Sequence, residues 1–179
     1  MATTTGMHSA ALLLPVLLLL CLPAALADAG FVARTCNNTA KPDACRSLLG
    51  GDPRSKNATT VLALANIGLD AAAGDARDSA GTMHGLSDGK YAGTAEGGAL
   101  AQCAQLYGSA VDDLDDAREQ LNSGAYSEAS RTVSGAEDAG DACEKAFADR
   151  GVRSVVSDVD RKMAEQCGVA GDLIDLLDV

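Results

Sequence analysis

The fold is decided by the stretch from Cys103 to Phe147, which reads CAQLYGSAVDDLDDAREQLNSGAYSEASRTVSGAEDAGDACEKAF. Its first half spaces apolar or small side chains four and three residues apart, at Cys103, Tyr107, Ala110, Leu114, Ala117 and Leu121. Its second half repeats the spacing at Tyr126, Ala129, Val133, Ala136, Gly140, Cys143 and Phe147. Such spacing places side chains on one face of a helix. Because Asn122-Ser123-Gly124 interrupts the pattern, we predict two antiparallel helices joined by a short turn.

Two further segments carry the same helical spacing on either side of this hairpin. Residues 56–86 place one stripe at Leu62, Ala65, Leu69, Ala72, Ala76 and Met83. The end of the chain places another at Val156, Val159, Met163, Cys167, Ala170, Ile174 and Leu177. Breaks at Ser87-Asp88-Gly89 and Arg150-Gly151 separate these segments from the hairpin. The sequence therefore predicts an all-α, up-down-up-down four-helix bundle with connections of two to six residues and apolar, closely packed inner stripes.

The positions of two cysteines test this arrangement. Cys103 lies 21 residues before Gly124 and Cys143 lies 19 residues after it. At about 1.5 Å per helical residue, both are about 30 Å from the turn, and both occupy the seam that faces the partner helix. We therefore predict a Cys103–Cys143 disulfide, whose ring of about 40 residues stabilises the fold by about 4 kcal/mol.

The other cysteines follow by elimination. Cys36 and Cys45 are nine residues apart, and Pro42 between them suits the first turn of a short helix. We expect a second disulfide here, which closes an N-terminal helical hairpin. Cys167 is then the free thiol; it is expected to be a small buried side chain, and an intermolecular disulfide is the alternative.

The N-terminus resembles a targeting segment. Residues 10–27 form a short apolar run that contains Pro23 and ends in Ala25-Leu26-Ala27, a small-x-small cleavage site. We predict that residues 1–27 are a cleaved signal peptide, that residues 28–179 form one domain, and that the protein is secreted. The glycosylation sequons at Asn37 and Asn57 agree with an extracellular glycoprotein.

Composition excludes several classes of function. The chain has a net charge of −11, so nucleic acid, anionic lipid and acidic polysaccharide repel it and basic protein surfaces attract it. It contains no Trp, which disfavours a sugar-stacking platform. After residue 27 no apolar run is long enough to cross a membrane. We predict no nucleic-acid or membrane partner.

The sequence offers no catalytic constellation. His84 is the one histidine outside the predicted leader, and no nucleophile elbow, phosphate loop or zinc motif is present. We predict a protein that is not an enzyme and that needs no cofactor. The cluster at Asp112, Asp113 and Asp116 has three interpretations: a solvated helix face, a docking site for a basic partner, or a calcium site, for which a helix face is a poor cage.

Four motifs in order resemble the plant invertase/pectin methylesterase inhibitor family. They are Cys36-Asn37-Asn38-Thr39-Ala40-Lys41-Pro42-Asp43-Ala44-Cys45, then Gln102-Cys103-Ala104-Gln105-Leu106-Tyr107, then Val133-Ser134-Gly135-Ala136 with Ala142-Cys143-Glu144, and the apolar end from Val169 to Leu177. The resemblance covers residues 31–179. It implies the same bundle and the same two disulfides. It also implies an apoplastic, cell-wall protein that covers the substrate cleft of its target enzyme in a stoichiometric complex.

The resemblance leaves two targets. Invertase inhibitors often carry Pro-Lys-Phe between the second and third bundle helices, where this chain has Asn122 to Ser127 instead. Pectin methylesterase is therefore the expected partner, bound by a monomer in a 1:1 complex, and acid invertase is the alternative. A non-inhibitory module that binds a small ligand is a further alternative. We assign Asp112, Asp113 and Asp116 to target binding, on the hypothesis that an acidic outer face of the second and third bundle helices docks to a basic esterase.

Overall fold

A computed structural model describes the backbone of residues 23–178 and the side chains of residues 30–178. This part of the chain contains six α-helices and no strand. In chain order they are α1 (Pro23–Cys36), α2 (Pro42–Gly50), α3 (Val61–Asp88), α4 (Ala95–Ser123), α5 (Tyr126–Ala148) and α6 (Ser157–Asp175). A short 3-10 helix, Pro53–Asn57, lies between α2 and α3. Residues 1–22 of the predicted signal peptide lie outside the described residues.

Helices α3 to α6 form the predicted up-down-up-down bundle. Each helix packs against the next in the chain, and α6 returns to pack against α3, so the four helices close a ring. Helices α1 and α2 form the predicted N-terminal hairpin, and α2 contacts α3 and α6. The all-α bundle with its hairpin and two disulfides is confirmed.

The core is built from small and aliphatic side chains. Its largest fully buried members are Tyr107, Phe147, Leu49, Leu64, Leu69, Met83, Leu100, Leu114, Leu121, Leu173, Ile174 and Val133. Alanines alternate with them along each seam and allow the helices to approach closely. Four predicted seam residues are only partly buried, namely Leu62, Tyr126, Val159 and Leu177.

The predicted helix boundaries need two corrections. The first bundle helix was predicted over residues 56–86 but spans Val61–Asp88. Thr60 caps its start, since the Thr60 side chain accepts a hydrogen bond from the Ala63 amide. The connection between α5 and α6, residues 149–156, is eight residues long rather than six or fewer.

Two disulfides link these helices. Cys36–Cys45 joins α1 to α2, and Cys103–Cys143 joins α4 to α5 with a Cα–Cα distance of 4.8 Å. Cys167 on α6 is a buried free thiol, 4.0 Å from the Met163 sulfur. Burial is the main reason that the pKa of the Cys167 thiol is raised to about 12, so the thiolate is suppressed.

Candidate docking surface

The three predicted docking carboxylates lie on α4, just past the middle of the helix. Asp112 and Asp116 are exposed and one helical turn apart, whereas Asp113 is partly buried. Within the described part of the chain, none of the three forms an ion pair with a basic side chain. We call Asp112, Asp113 and Asp116 the acidic patch. The patch is free to meet a cationic group on another molecule.

The acidic patch concentrates negative charge. Partial burial, and then the charges of Asp116 and Asp112, raise the pKa of Asp113. A cationic partner would relieve this repulsion, because an opposite charge nearby favours the ionised carboxylate. The charge of Asp113 therefore depends on pH in the acidic range.

Asp115, within the same run of acids, has a structural role instead. It pairs with Arg118 at 2.8 Å and faces Arg77 on α3 at 3.6 Å. Arg118 also bonds to Asp70 on α3 at 2.9 Å, and Asp70 in turn bonds to Arg54 of the 3-10 helix at 2.6 Å. This ionic network ties the 3-10 helix, α3 and α4 together, so Asp115 is not available to a partner.

Helix α5 supplies carboxylates that the sequence analysis did not select. The Cys103–Cys143 disulfide sets the register, so Asp112, nine residues beyond Cys103, lies level with Ser134 on α5. Of the exposed acids of α5, Asp138 and Asp141 lie nearer the disulfide, whereas Glu128 lies near the α4–α5 turn and is paired with Arg131 at 3.1 Å. Nine residues are two and a half helical turns, so Asp112 lies on the side of α4 opposite Cys103 and turned away from α5. The acidic patch and the exposed acids of α5 are therefore separated both along and around the bundle.

The loop between α5 and α6 is held against α4. Arg150 Nη1 donates hydrogen bonds to Gln102 Oε1 at 3.0 Å and to the Ala146 carbonyl at 2.8 Å. Gln102 precedes the disulfide cysteine Cys103. These hydrogen bonds attach the α5–α6 loop to α4 at the end of the bundle opposite the α4–α5 turn.

A buried carboxyl lies in the core, where the sequence analysis predicted none. Asp160 on α6 is only 5% exposed and accepts a 2.8 Å hydrogen bond from the Tyr107 hydroxyl. Burial, and then the hydrogen bond with Glu144, raise the pKa of Asp160 to about 7. Burial opposes ionisation of Glu144 as well, but hydrogen bonds from Ser154, Asp160 and Ser157 lower its pKa. Of the two neighbouring carboxyls, Asp160 is therefore the one that holds a proton more tightly and Glu144 the one that ionises more readily.

The described residues bring together no group of potential metal ligands. His84 is exposed, and its Nε2 is 3.7 Å from Asp88 Oδ2. Between residues 23 and 178 no three potential His, Cys, Asp or Glu ligands come together as a metal site. None of the helices in that range is both long and apolar enough to span a bilayer.

The two predicted glycosylation sites differ in their surroundings. Asn57 and Thr59 are both exposed at the end of the 3-10 helix. Asn37 is exposed, but its Oδ1 accepts a hydrogen bond from Arg46 at 2.8 Å, and Thr39 of the same sequon is buried. The folded protein leaves more room for a glycan at Asn57.

A family model described as plant invertase/pectin methylesterase inhibitor matches residues 30–173. A pectinesterase inhibitor from Actinidia deliciosa is 26% identical over 160 residues, which cover 87% of this chain and 83% of that protein. Pectinesterase inhibitor 28 from Oryza sativa subsp. japonica is 31% identical over 166 residues, which cover 87% of this chain and 72% of that protein.

Solved structures resemble the bundle as a whole. Mutant form A of a pectin methylesterase inhibitor from Arabidopsis superposes with a TM-score of 0.66 at 27% identity, covering 79% of this chain and 93% of the other. A pectin methylesterase inhibitor from Arabidopsis thaliana superposes with a TM-score of 0.60 at 25% identity, covering 83% and 96% of the two chains.

Proposed function

The chain belongs to the plant invertase/pectin methylesterase inhibitor family, and from this membership we propose that it binds pectin methylesterase stoichiometrically and blocks its substrate cleft. The observation that carries the proposal is the extent of the match. The family model covers residues 30–173, from α1 to the last turns of α6, so it includes the hairpin, both disulfides and all four bundle helices.

The choice of esterase over invertase rests on the relatives. The two curated relatives are pectinesterase inhibitors, and the two solved structures are pectin methylesterase inhibitors. The segment between α4 and α5 also lacks the Pro-Lys-Phe tripeptide that invertase inhibitors often carry. Invertase inhibition is the less favoured alternative.

The proposed mechanism is steric and requires no catalysis. A bundle held by two disulfides and a three-helix ionic network presents a preformed surface, so little conformational entropy is lost on docking. The acidic patch accelerates association with a basic enzyme surface, because complementary charge steers diffusional encounter. The substrate is excluded because the bundle occupies the mouth of the cleft.

We place this activity outside the cell. The predicted signal peptide, residues 1–27, directs the chain into an oxidising compartment, where Cys36–Cys45 and Cys103–Cys143 can form. In the apoplast the protein would meet wall esterases as a monomer that forms a 1:1 complex. Asn57 is the sequon that we expect to carry a glycan.

Parallel activity assays test the choice of target. The purified oxidised protein is added to a plant pectin methylesterase and, separately, to a cell-wall invertase at the acidic pH of the wall. We expect esterase activity to fall and invertase activity to persist. Loss of invertase activity alone would transfer the assignment to the alternative target, and no loss in either assay across several isoforms would reject inhibition.

A further inference from the structure

Two carboxyls meet where α5 and α6 approach each other. Asp160, in the first turn of α6, is buried, and its carboxyl is hydrogen-bonded to that of Glu144 on α5. We call Asp160 and Glu144 the carboxyl pair. Asp160 Oδ1 accepts from the Tyr107 hydroxyl, whereas Asp160 Oδ2 and Glu144 Oε1 are buried and receive no hydrogen from any other described group. These two oxygens are therefore the ones left to bond to each other.

A hydrogen bond between two carboxyls requires a proton, because an ionised carboxylate can only accept. Two buried carboxyls in contact do not both ionise, since each negative charge opposes the other. Burial is the largest cause that raises the pKa of Asp160, to about 7, whereas the pKa of Glu144 is lowered. At acidic pH the pair therefore holds one proton on Asp160, and Asp160 donates to Glu144.

No cation compensates the charge that appears when this proton leaves. Among the described residues neither member of the carboxyl pair forms an ion pair, and Asp141 on α5 adds a further negative charge. The cations that follow Asp160 on α6, Arg161 and Lys162, are paired at 2.6 Å with carboxylates of α6 and α3. Arg153 in the α5–α6 loop is exposed. Loss of the proton therefore leaves two like charges in contact.

The carboxyl pair joins the α5–α6 loop, residues 149–156, and the start of α6 to α5. Glu144 accepts hydrogen bonds from Ser154 in the loop and from Ser157 in α6 as well as from Asp160. Beside the pair the two helix backbones are close, because a Cβ at Gly140 would lie 2.9 Å from the Asp160 carbonyl oxygen. A second charge can be hydrated here only if the loop and the first turn of α6 leave α5.

We propose that the shared proton of the carboxyl pair holds the α5–α6 loop and the first turn of α6 against α5, and that its loss near neutral pH lets this segment unfold locally while the rest of the bundle stays folded. The proton leaves to solvent beside Glu144, which is only partly buried. The segment is thus closed at acidic pH and opens at neutral pH. The proposal does not depend on inhibition of an esterase.

Amide hydrogen exchange of the oxidised protein tests the proposal, with protection factors corrected for the intrinsic effect of pH. The Val159 and Asp160 amides both donate to the Val156 carbonyl and report on the segment. We expect their protection to fall by about tenfold per pH unit between about pH 5 and 7, the slope for one proton released on opening. Low urea should not change this exchange, because a local opening exposes little surface, whereas urea should accelerate exchange of the Leu114 amide in the core of α4.

Variants of the carboxyl pair and its neighbours separate the proton from the packing. Asp160→Asn offers Glu144 an amide donor at every pH, so protection of Val159 should become independent of pH between about pH 5 and 8. Tyr107→Phe removes a hydrogen bond that lowers the pKa of Asp160, so protection should persist to higher pH. Glu165→Gln, an exposed position on α6, should behave as the unmodified protein.

Two results in the unmodified protein would overturn the proposal. One is protection of Val159 and Asp160 that does not change with pH. The other is exchange of these amides only together with Leu114 and with the same response to urea, which would show that the segment opens only when the whole bundle unfolds. No enzyme is present in this assay, so its outcome is independent of the inhibition assays.

Discussion

The Tyr107 hydroxyl donates a 2.8 Å hydrogen bond to Asp160 Oδ1 in the core, and it thereby joins α4 to the first turn of α6. Gly140 on α5 packs against the same point, because a Cβ there would lie 2.9 Å from the Asp160 carbonyl oxygen. Three bundle helices therefore meet around one buried carboxyl. The carboxyl faces Glu144 and Asp141 on α5 as well as Tyr107.

This carboxyl makes stability depend on pH. The pKa of Asp160, about 7 in the folded protein, is raised above its unfolded value of about 4. The protonated Asp160 carboxyl therefore stabilises the folded protein fully below about pH 4, and this stabilisation is lost as the pH rises through 7. The Asp160→Asn variant keeps an acceptor for Tyr107 but cannot ionise. We expect it to remove about 4 kcal/mol of the loss of unfolding free energy that occurs over this pH range.

Urea unfolding at several pH values measures this slope. Asp158→Asn serves as the control because Asp158 lies on the same helix and its side chain is 90% exposed. An Asp160→Asn protein that loses stability between pH 4 and 8 as steeply as the unmodified protein would assign the pH dependence to other groups.

The ionic network gives the opposite pH dependence. Burial opposes ionisation of Asp70, but hydrogen bonds from Arg54 and Arg118 outweigh it and lower the pKa of Asp70. Its stabilisation is present above about pH 4 and is lost as the pH falls through the lowered pKa. We expect Asp70→Asn to reduce the unfolding free energy by about 1 kcal/mol at neutral pH, less in high salt, and by almost nothing at strongly acidic pH. An equal loss at both pH values would show that the effect is not electrostatic.

The close approach of α5 to α6 predicts a contrast between two glycines. Gly140→Ala places a methyl group against the Asp160 backbone, and we expect it to cost about 2 kcal/mol. Gly135→Ala lies in the same helix, and nothing lies within 4 Å of its Cβ position. It should be neutral or stabilise by up to about 1 kcal/mol, because alanine favours helix over glycine. Thermal unfolding measures the change in stability of both variants. Equal changes for Gly140→Ala and Gly135→Ala would contradict the observed packing.

The acidic patch predicts an effect on association rate. Replacing Asp112, Asp113 and Asp116 together by Asn should slow association with a basic pectin methylesterase by about tenfold at low salt and should flatten its salt dependence. The control is replacement of Asp43, Asp149 and Asp158 by Asn, which removes the same charge from exposed positions elsewhere. Stopped-flow or biosensor kinetics provide the rates. If both triple variants associate alike, overall charge rather than the patch governs docking.

The helices and disulfides could be predicted from sequence because they depend on spacing. The intervals from Cys103 to Leu121 and from Tyr126 to Phe147 place each seam on one helix face, and the turn at Gly124 brings Cys103 level with Cys143. The 3-10 helix at Pro53–Asn57 could not be separated from the first bundle helix, since both lie within one continuous polar-apolar pattern. Only the cap at Thr60 marks where the long helix starts.

The buried carboxyl was missed for a different reason. Asp160 follows Val156 by one helical turn and so shares its inward face, but an aspartate is by default assigned to the surface. Its partners Tyr107 and Glu144 are 53 and 16 residues away in the chain.

Calorimetric titration of the oxidised protein into pectin methylesterase, with esterase activity measured on the same samples, tests the central claim most directly. We predict saturation at one inhibitor per enzyme and a loss of activity in proportion to occupancy, as expected for a monomer that covers the substrate cleft. Binding that reaches saturation while the esterase still turns over pectin, or no binding at the acidic pH of the wall, would contradict inhibition by occlusion.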